Sequence, residues 1–359
     1  FSVMSSLANQ HGAINLSQGF PNFDCSEKLK KLVTHFMQQG NNQYAPMPGS
    51  MQLREALVTK IERLYDAQYD VNSEITVTAG ATQAIYTAIS ALVKDEDEVI
   101  IFTPAYDCYE PAIELNGGKT IFVKLKSPTY KVDWEEVKKV VSRKTRMIIM
   151  NTPHNPTGSV WSSDDLEQLD HITKDTDIVV LSDEVYEHII FDDIPHQSMA
   201  RHANLRNRTL VTASFGKTFH VTGWKLGYIF GPQELMTEFR KVHQFNVFSC
   251  NHPMQNAIAE YISEEENYLT LGSFYQKKRD LFNEAASQSR FEIIQSSGTY
   301  FELLDYSKIT DEKDTDFAIR MTKEFGLASI PVSVFYNTPN EDKVLRFCFA
   351  KQEETIEKA

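Results

Sequence analysis

Six short runs set what this chain can fold into. They are "EVIIFTP" (Glu98–Pro104), "KTIFVKL" (Lys119–Leu125), "RMIIMNTP" (Arg146–Pro153), "DIVVLSDE" (Asp177–Glu184), "TLVTASF" (Thr209–Phe215) and "GYIFGP" (Gly227–Pro232). All are β-branched and nearly continuous in hydrophobicity. A strand with one face in water alternates apolar with polar residues. A run without that alternation needs cover on both faces, as in a mainly parallel sheet. Helix candidates fall between several of the runs: Asp133–Lys144, and Ser162–Asp175, which opens "SSDDLEQL" like a capping box. The expected fold class is α/β, with a large, mainly parallel sheet carrying helices on both faces.

The ends read differently. Phe1–Gly40 reads as loop-rich, whereas beyond about Glu284 come a strand-pair signal, "RFEIIQSSGTYFELLDY", a helix over Thr315–Phe325 and the strand "KVLRFCFA". The expected organisation is a large domain over 41–284 and a small α+β domain over 285–359. The N-terminal segment 1–40 contributes to the small domain and to the substrate site, and the helix-rich stretch Pro253–Gln288 links the parts.

Composition narrows the function. The 359 residues carry 49 acids against 36 bases, a net charge of −13, which opposes a nucleic-acid or anionic-membrane surface. Nothing approaches the roughly 18 consecutive apolar residues of a membrane span. Cys25, Cys108, Cys250 and Cys348 lie far apart without CxxC spacing, pointing to reduced thiols in the cytoplasm. His154, His188 and His220 lie near motifs without metal-ligand spacing, so no metal is expected. The chain begins at Phe1 and ends in "KQEETIEKA", which reads as an interrupted helix, so residues are expected to be missing at both ends.

Four segments carry chemistry. "TVTAGATQAIYTAISAL" (Thr76–Leu92) is a strand, a glycine turn and a helix whose first amides, at Ala81 and Thr82, suit an anion. It lacks GxxxxGK[ST] and GxGxxG, the nucleotide fingerprints. "NTPHNPTG" (Asn151–Gly158) follows a strand and holds Asn155 between prolines, with Asn155–Pro156 a candidate cis bond. "LSDEVYEH" (Leu181–His188) puts Asp183 at the end of a parallel strand, where α/β folds place ligands, with Tyr186 three residues on. "SFGKTFHVTGWKLGY" (Ser214–Tyr228) frames Lys217 between Ser214 and a second lysine, Lys225, with glycines on either side. Taken singly, each segment is also an ordinary turn, cap or solvated lysine.

In the order GAT, PAYD, NTPxNPTG, SDEVY, SFGKxxxxTGWKxGY and LRFCFA, the chain resembles the class I pyridoxal-phosphate aminotransferases of fold type I, nearest the kynurenine and methionine aminotransferase branch. The resemblance runs over essentially the whole chain, from "NLSQGFPNF" to "RFCFA". It implies pyridoxal 5′-phosphate as cofactor and ping-pong transfer of an amino group from a methionine-like, aromatic or kynurenine-like L-amino acid to a 2-oxo acid. Lys217 matches the Schiff-base lysine, which also moves the substrate Cα proton, and Asp183 matches the partner of the ring nitrogen. Tyr186 and Asn155 would meet the ring's phenolic oxygen, and Tyr106 would stack on the ring. The phosphate would take the amides of Ala81 and Thr82, the Ser214 hydroxyl and Lys225, where many relatives carry arginine. Tyr44 would reach the phosphate of a neighbouring subunit, which implies a homodimer with shared sites. Arg346, with Asn155 and the Gly19 amide, would grip the α-carboxylate. Phe20, Phe335 and Phe248, the last from the partner subunit, would line an apolar side-chain pocket. Two other readings are cysteine-S-conjugate β-lyase activity on the same scaffold and a cofactor-binding regulator. The regulator needs a DNA-binding module and a basic face.

Overall fold

The computed structural model describes residues 2–340 and 342–359. The chain opens with helix α1 (Ser2–His11), strand β1 (Ile14–Asn15) and helices α2 (Glu27–Gln38) and α3 (Met51–Tyr65). Two helices in the first forty residues correct the loop-rich expectation. Each buries a short i, i+4 pair, Met4 with Ala8 and Leu29 with Val33, between Gly, Pro and Asn punctuation that hides the period.

Strands and helices then alternate: β2 (Ile75–Thr78), α4 (Ala81–Leu92), β3 (Glu98–Thr103), α5 (Tyr109–Leu115), β4 (Lys119–Lys124), α6 (Trp134–Val140), β5 (Thr145–Asn151), α7 (Ser163–Thr173) and β6 (Val179–Asp183). After β7 (Thr209–Ser214) come the single turn α8 (Phe215–Thr218), β8 (Gly227–Phe230) and α9 (Gln233–Asn246). The capping box is present: Ser162 Oγ accepts from Asp165 N at 3.2 Å, and Asp165 Oδ2 accepts from Ser162 N at 2.8 Å. Helix α6 stops short of Lys144 because the Ser142 amide turns to Thr145 Oγ1 at 2.9 Å, outside the helical ladder.

The seven strands β2 to β8 form one sheet in the order β2-β8-β7-β6-β5-β3-β4. All run parallel except β8, antiparallel to both β2 and β7. The continuous apolar runs divide by alternate residues. Val99, Ile101, Met147, Ile149, Val179 and Leu181 pack on one face with α4, α5 and α9, while Ile100, Phe102, Ile148, Met150 and Val180 pack on the other. Each fully buried side chain of this kind contributes about 1.5–3 kcal/mol.

Helices α10 (His252–Ile262), α11 (Glu266–Leu269) and α12 (Leu271–Ala286) lead to β9 (Glu292–Ile294) and β10 (Phe301–Asp305). The helix expected over Thr315–Phe325 is α13 (Asp314–Arg320), followed by a wider π-helical turn that ends at Gly326, φ +70°. After β11 (Leu327–Ala328), β12 (Ile330–Pro331) and β13 (Val344–Cys348), the described chain closes with α14 (Glu353–Lys358). The second sheet, β12-β13-β10-β9, is antiparallel, and β1 pairs in parallel with β11.

The two main sheets are joined at the turn after β5. The Gly158 carbonyl accepts from the amides of Ser297 and Gly298, both at 2.9 Å. Gly158 has φ +70°, and a Cβ there would stand 2.4 Å from Ser296 Cβ. Gly158→Ala therefore combines a left-handed backbone with a clash at the joint. The expected cost is about 2 kcal/mol or more, read as a lowered denaturation midpoint with an unchanged denaturant slope.

Candidate active site

Parallel register brings the chemistry to one edge. Asn151 at the end of β5 pairs with Asp183 at the end of β6, which pairs with Thr212 near the end of β7. Gly227 begins the reversed strand β8 opposite Ser214 and Thr78. These ends open into a cleft whose lining includes Ala81, Thr82, Tyr106, Asn155, Asp183, Tyr186, Ser214, Lys217 and Lys225.

One end of the cleft is built for an anion. Gly80, φ +81°, turns the chain from β2 into α4, so the amides of Ala81 and Thr82 stand at a helix N-terminus. A Cβ on Gly80 would lie 3.6 Å from Lys225 Nζ, and one on Gly227 would lie 2.6 Å from Ala213 O and 3.2 Å from Ala81 N. Glycine at 227 is thus what lets α4 approach the sheet. Lys225 is itself in the left-handed region, φ 51° and ψ 50°.

The other end holds a carboxylate. Asp183 Oδ2 accepts from Tyr109 Oη at 2.6 Å, and Oδ1 accepts from Val185 N at 3.3 Å. Burial pushes its carboxyl up to about 6, against the Tyr109 hydrogen bond, which favours the charged form. Tyr106 follows β3; its hydroxyl is 3.3 Å from Thr82 Oγ1 and its ring meets Tyr109 edge-on at 5.8 Å.

Between them lies Lys217, whose amine donates to Gly19 O at 3.2 Å and to Tyr300 Oη at 3.0 Å. Burial above all pulls its pKa down to about 8, with Arg346 and Lys225 adding and Cys348 and Asp183 opposing. Arg346 reaches in from β13 of the second sheet. Its Nη1 donates to Asn155 Oδ1 at 2.6 Å, Nη2 donates to Ser17 O at 3.4 Å, and the guanidinium carbon lies 3.9 Å from the centre of the Phe301 ring. The Asn155–Pro156 bond is cis, and Asn155 N donates to Asn151 Oδ1 at 2.7 Å.

The profile of the family described as aminotransferase class I and II matches residues 11–359. The chain belongs to the class I and II aminotransferases. It is 50% identical over 357 residues to the methionine aminotransferase of Escherichia coli (strain K12), covering 99% of this chain and 92% of that one. With kynurenine–oxoglutarate transaminase 1 of Homo sapiens it shares 34% identity over 387 residues, covering 98% and 92%. The crystal structure of YbdL from Escherichia coli, a methionine aminotransferase, superposes with a TM-score of 0.99 at 49% identity, covering 100% of this chain and 95% of that one. The fold is therefore fold type I and the enzyme a pyridoxal-phosphate-dependent aminotransferase. The residues present fit that cofactor: an anion cradle of amides and a lysine, a buried carboxylate for a cationic nitrogen, an aromatic wall and a deprotonatable amine.

Other expected residues fall elsewhere in the aminotransferase. Gly19 is near Lys217 through its carbonyl, and a Cβ on it would stand 3.0 Å from Phe301 Cζ. Phe20 is half-exposed over a separate hollow beside α1, and its carbonyl accepts from Lys351 Nζ at 2.8 Å. Phe335 is buried, its ring 5.1 Å from the Arg346 guanidinium. Tyr44 and Phe248 sit apart from the cleft, ring centroids 5.4 Å from each other and both exposed. Sequence reasoning missed Asn151, Tyr109 and Tyr300. Asn151 opens the quoted "NTPHNPTG", and Tyr109 lies three residues after Tyr106, so a helical turn beginning there carries a local signal; Tyr300 carries none.

Gly227→Ala should push α4 off the sheet and spread the anion cradle. The expected outcome is at least tenfold weaker binding of pyridoxal 5′-phosphate, about 1.4 kcal/mol, read by absorbance titration of the cofactor-free protein.

Proposed function

We propose that this aminotransferase takes the amino group of methionine, or of an aromatic or kynurenine-like L-amino acid, and delivers it to a 2-oxo acid in a ping-pong cycle. The observation that carries the reading is the Arg346–Asn155 hydrogen bond of 2.6 Å, which fixes a buried guanidinium within electrostatic reach of the Lys217 amine. A planar two-pronged cation next to a base suits an amino acid gripped by its carboxylate. The rings of Tyr106, Tyr186, Tyr300 and Phe301 around it favour an apolar side chain, and the identity with a methionine aminotransferase supports the same choice.

When bound, pyridoxal 5′-phosphate supplies an aldehyde carbon and a conjugated ring that draws electrons from the substrate Cα. This chain's residues do the rest. Ala81, Thr82, Ser214 and Lys225 would hold the phosphate, Asp183 the ring nitrogen, and Tyr186 and Asn155 the phenolic oxygen, with Tyr106 beside the ring. Lys217 Nζ would take the proton from the substrate Cα and pass it to the carbon that the cofactor's aldehyde supplies; a pKa near 8 leaves part of the amine neutral at neutral pH. Gly19, Phe20 and Phe335 would flank the substrate from this chain and Phe248 from a partner subunit.

The exposed Tyr44–Phe248 pair, with Phe245 87% exposed nearby in sequence, supports a symmetric dimer in which Tyr44 and Phe248 serve the partner's site. The parallel β1–β11 pairing supports a small domain built from residues 1–40 and 285–359 around a large domain of 41–284. Four unpaired cysteines support a cytoplasmic enzyme. Among the described residues no helix is long and apolar enough to cross a membrane.

The decisive measurement is kcat/KM over an amino-donor panel. Methionine or an aromatic donor should lead, and a tenfold preference for aspartate or alanine overturns the substrate assignment. Arg346→Lys, which loses the fork, should lower kcat/KM for the best donor about a hundredfold. Tyr109→Phe removes a hydrogen bond to the charged form of Asp183, so its proton affinity rises. The acidic limb of kcat/KM should move to higher pH by about one unit, checked by the pH–rate profile.

A further inference from the structure

Lys217 Nζ, Tyr300 Oη and Gly19 O form a closed triangle. The amine donates to both oxygens, at 3.0 Å and 3.2 Å, and the phenol donates to the same carbonyl at 2.5 Å. A phenol has one proton to give. Gly19 takes it, so Tyr300 can present only lone pairs to the lysine. Its ring is wedged edge-on against Tyr186 at 5.1 Å and Phe301 at 4.9 Å, and tilted on Tyr275 at 5.7 Å. Burial keeps the phenol neutral, its pKa well above the ordinary value. The Tyr186 hydroxyl also meets the Tyr300 hydroxyl, so the side chain is held in place from several sides.

We propose that Tyr300 is a positioning residue for the transfer reaction: its hydroxyl, aimed by the Gly19 carbonyl, holds the Lys217 amine whenever that amine is free and sets how tightly it keeps a proton. The inference rests on the reading of Lys217 as the base at Cα. A lysine with four rotatable carbons has no fixed site of its own, and the triangle supplies one. An ammonium gains more from an oxygen acceptor than a neutral amine does, so the phenol counters burial. The other groups that act on the amine are Arg346 and Cys348 of β13, Asp183 at the end of β6 and Lys225 before β8. The Tyr186 ring lies 5.7 Å away. Arg346 and Lys225 disfavour the ammonium and Asp183 favours it. Tyr300→Phe leaves all of them in place and keeps the packed ring, so any change in the lysine's titration reports the lost oxygen.

The test uses the full-length enzyme saturated with pyridoxamine 5′-phosphate, in which Lys217 is a free amine. Competitive acetylation by trace acetic anhydride across pH 6–11, read on the Lys217 peptide by mass spectrometry, gives the titration midpoint. In Tyr300→Phe the midpoint should fall by about one unit. Tyr300→3-fluorotyrosine, whose oxygen is a poorer acceptor on an almost unchanged ring, should give a smaller fall in the same direction. Borohydride reduction of each variant loaded with pyridoxal 5′-phosphate is run alongside. A pyridoxyl adduct on Lys217 together with both falls supports the proposal. The adduct with an unmoved midpoint in either variant overturns the role of Tyr300 and leaves that of Lys217 standing. Absence of the adduct in the unsubstituted enzyme overturns both.

Discussion

Strand register is the constraint on which the aminotransferase site depends. Asn151, Asp183 and Thr212 are successive partners across three parallel strands, and Gly227 of the reversed strand stands beside Ser214. A slip of one residue would turn Asp183 to the opposite face of the sheet. Because both faces are packed, such a slip would also carry Val180 and Leu181 into the wrong clusters. The catalytic edge therefore inherits its precision from apolar packing that never meets the cofactor.

The segment after β6 shows the same economy. Asp183 and Tyr186 line the cleft, while Glu184 and Glu187 turn away into the protein. Glu184 accepts from Ser182 Oγ and Met199 N, at 2.8 and 3.0 Å, and Glu187 meets Lys60 at 2.7 Å and the hydroxyls of Tyr228 and Tyr65. A buried ion pair contributes little net stability, but breaking one partner is costly. The pair thus pins the loop that presents the carboxylate and the phenol.

Much of this was legible in the residues. Unbroken apolar runs announced a sheet covered on both faces, the serine–aspartate pair at 162 and 165 announced a helix start, and the ordered motifs announced the cleft. What escaped had a physical reason. Tyr109 meets Asp183 across 74 residues and Tyr300 meets Lys217 across 83, and no local period encodes such pairs. The helices at 2–11 and 27–38 bury so few side chains that turn residues around them outweighed their pattern. The packing of the Phe335 ring against the Arg346 guanidinium likewise depends on the fold of the second sheet.

The joint at Gly158 has a mechanical consequence. Its carbonyl takes two amides of the second sheet's leading segment, and Asn155 of the same turn takes Arg346. The turn is thus bonded to the second sheet and its leading segment at two points. The strip holding Phe20 and Asn22 hangs from Lys351 and Ala350, at the end of β13, by bonds of 2.8 and 3.3 Å. A displacement of that sheet relative to the turn would strain these bonds together, so the guanidinium and the Phe20 strip are tied to one frame.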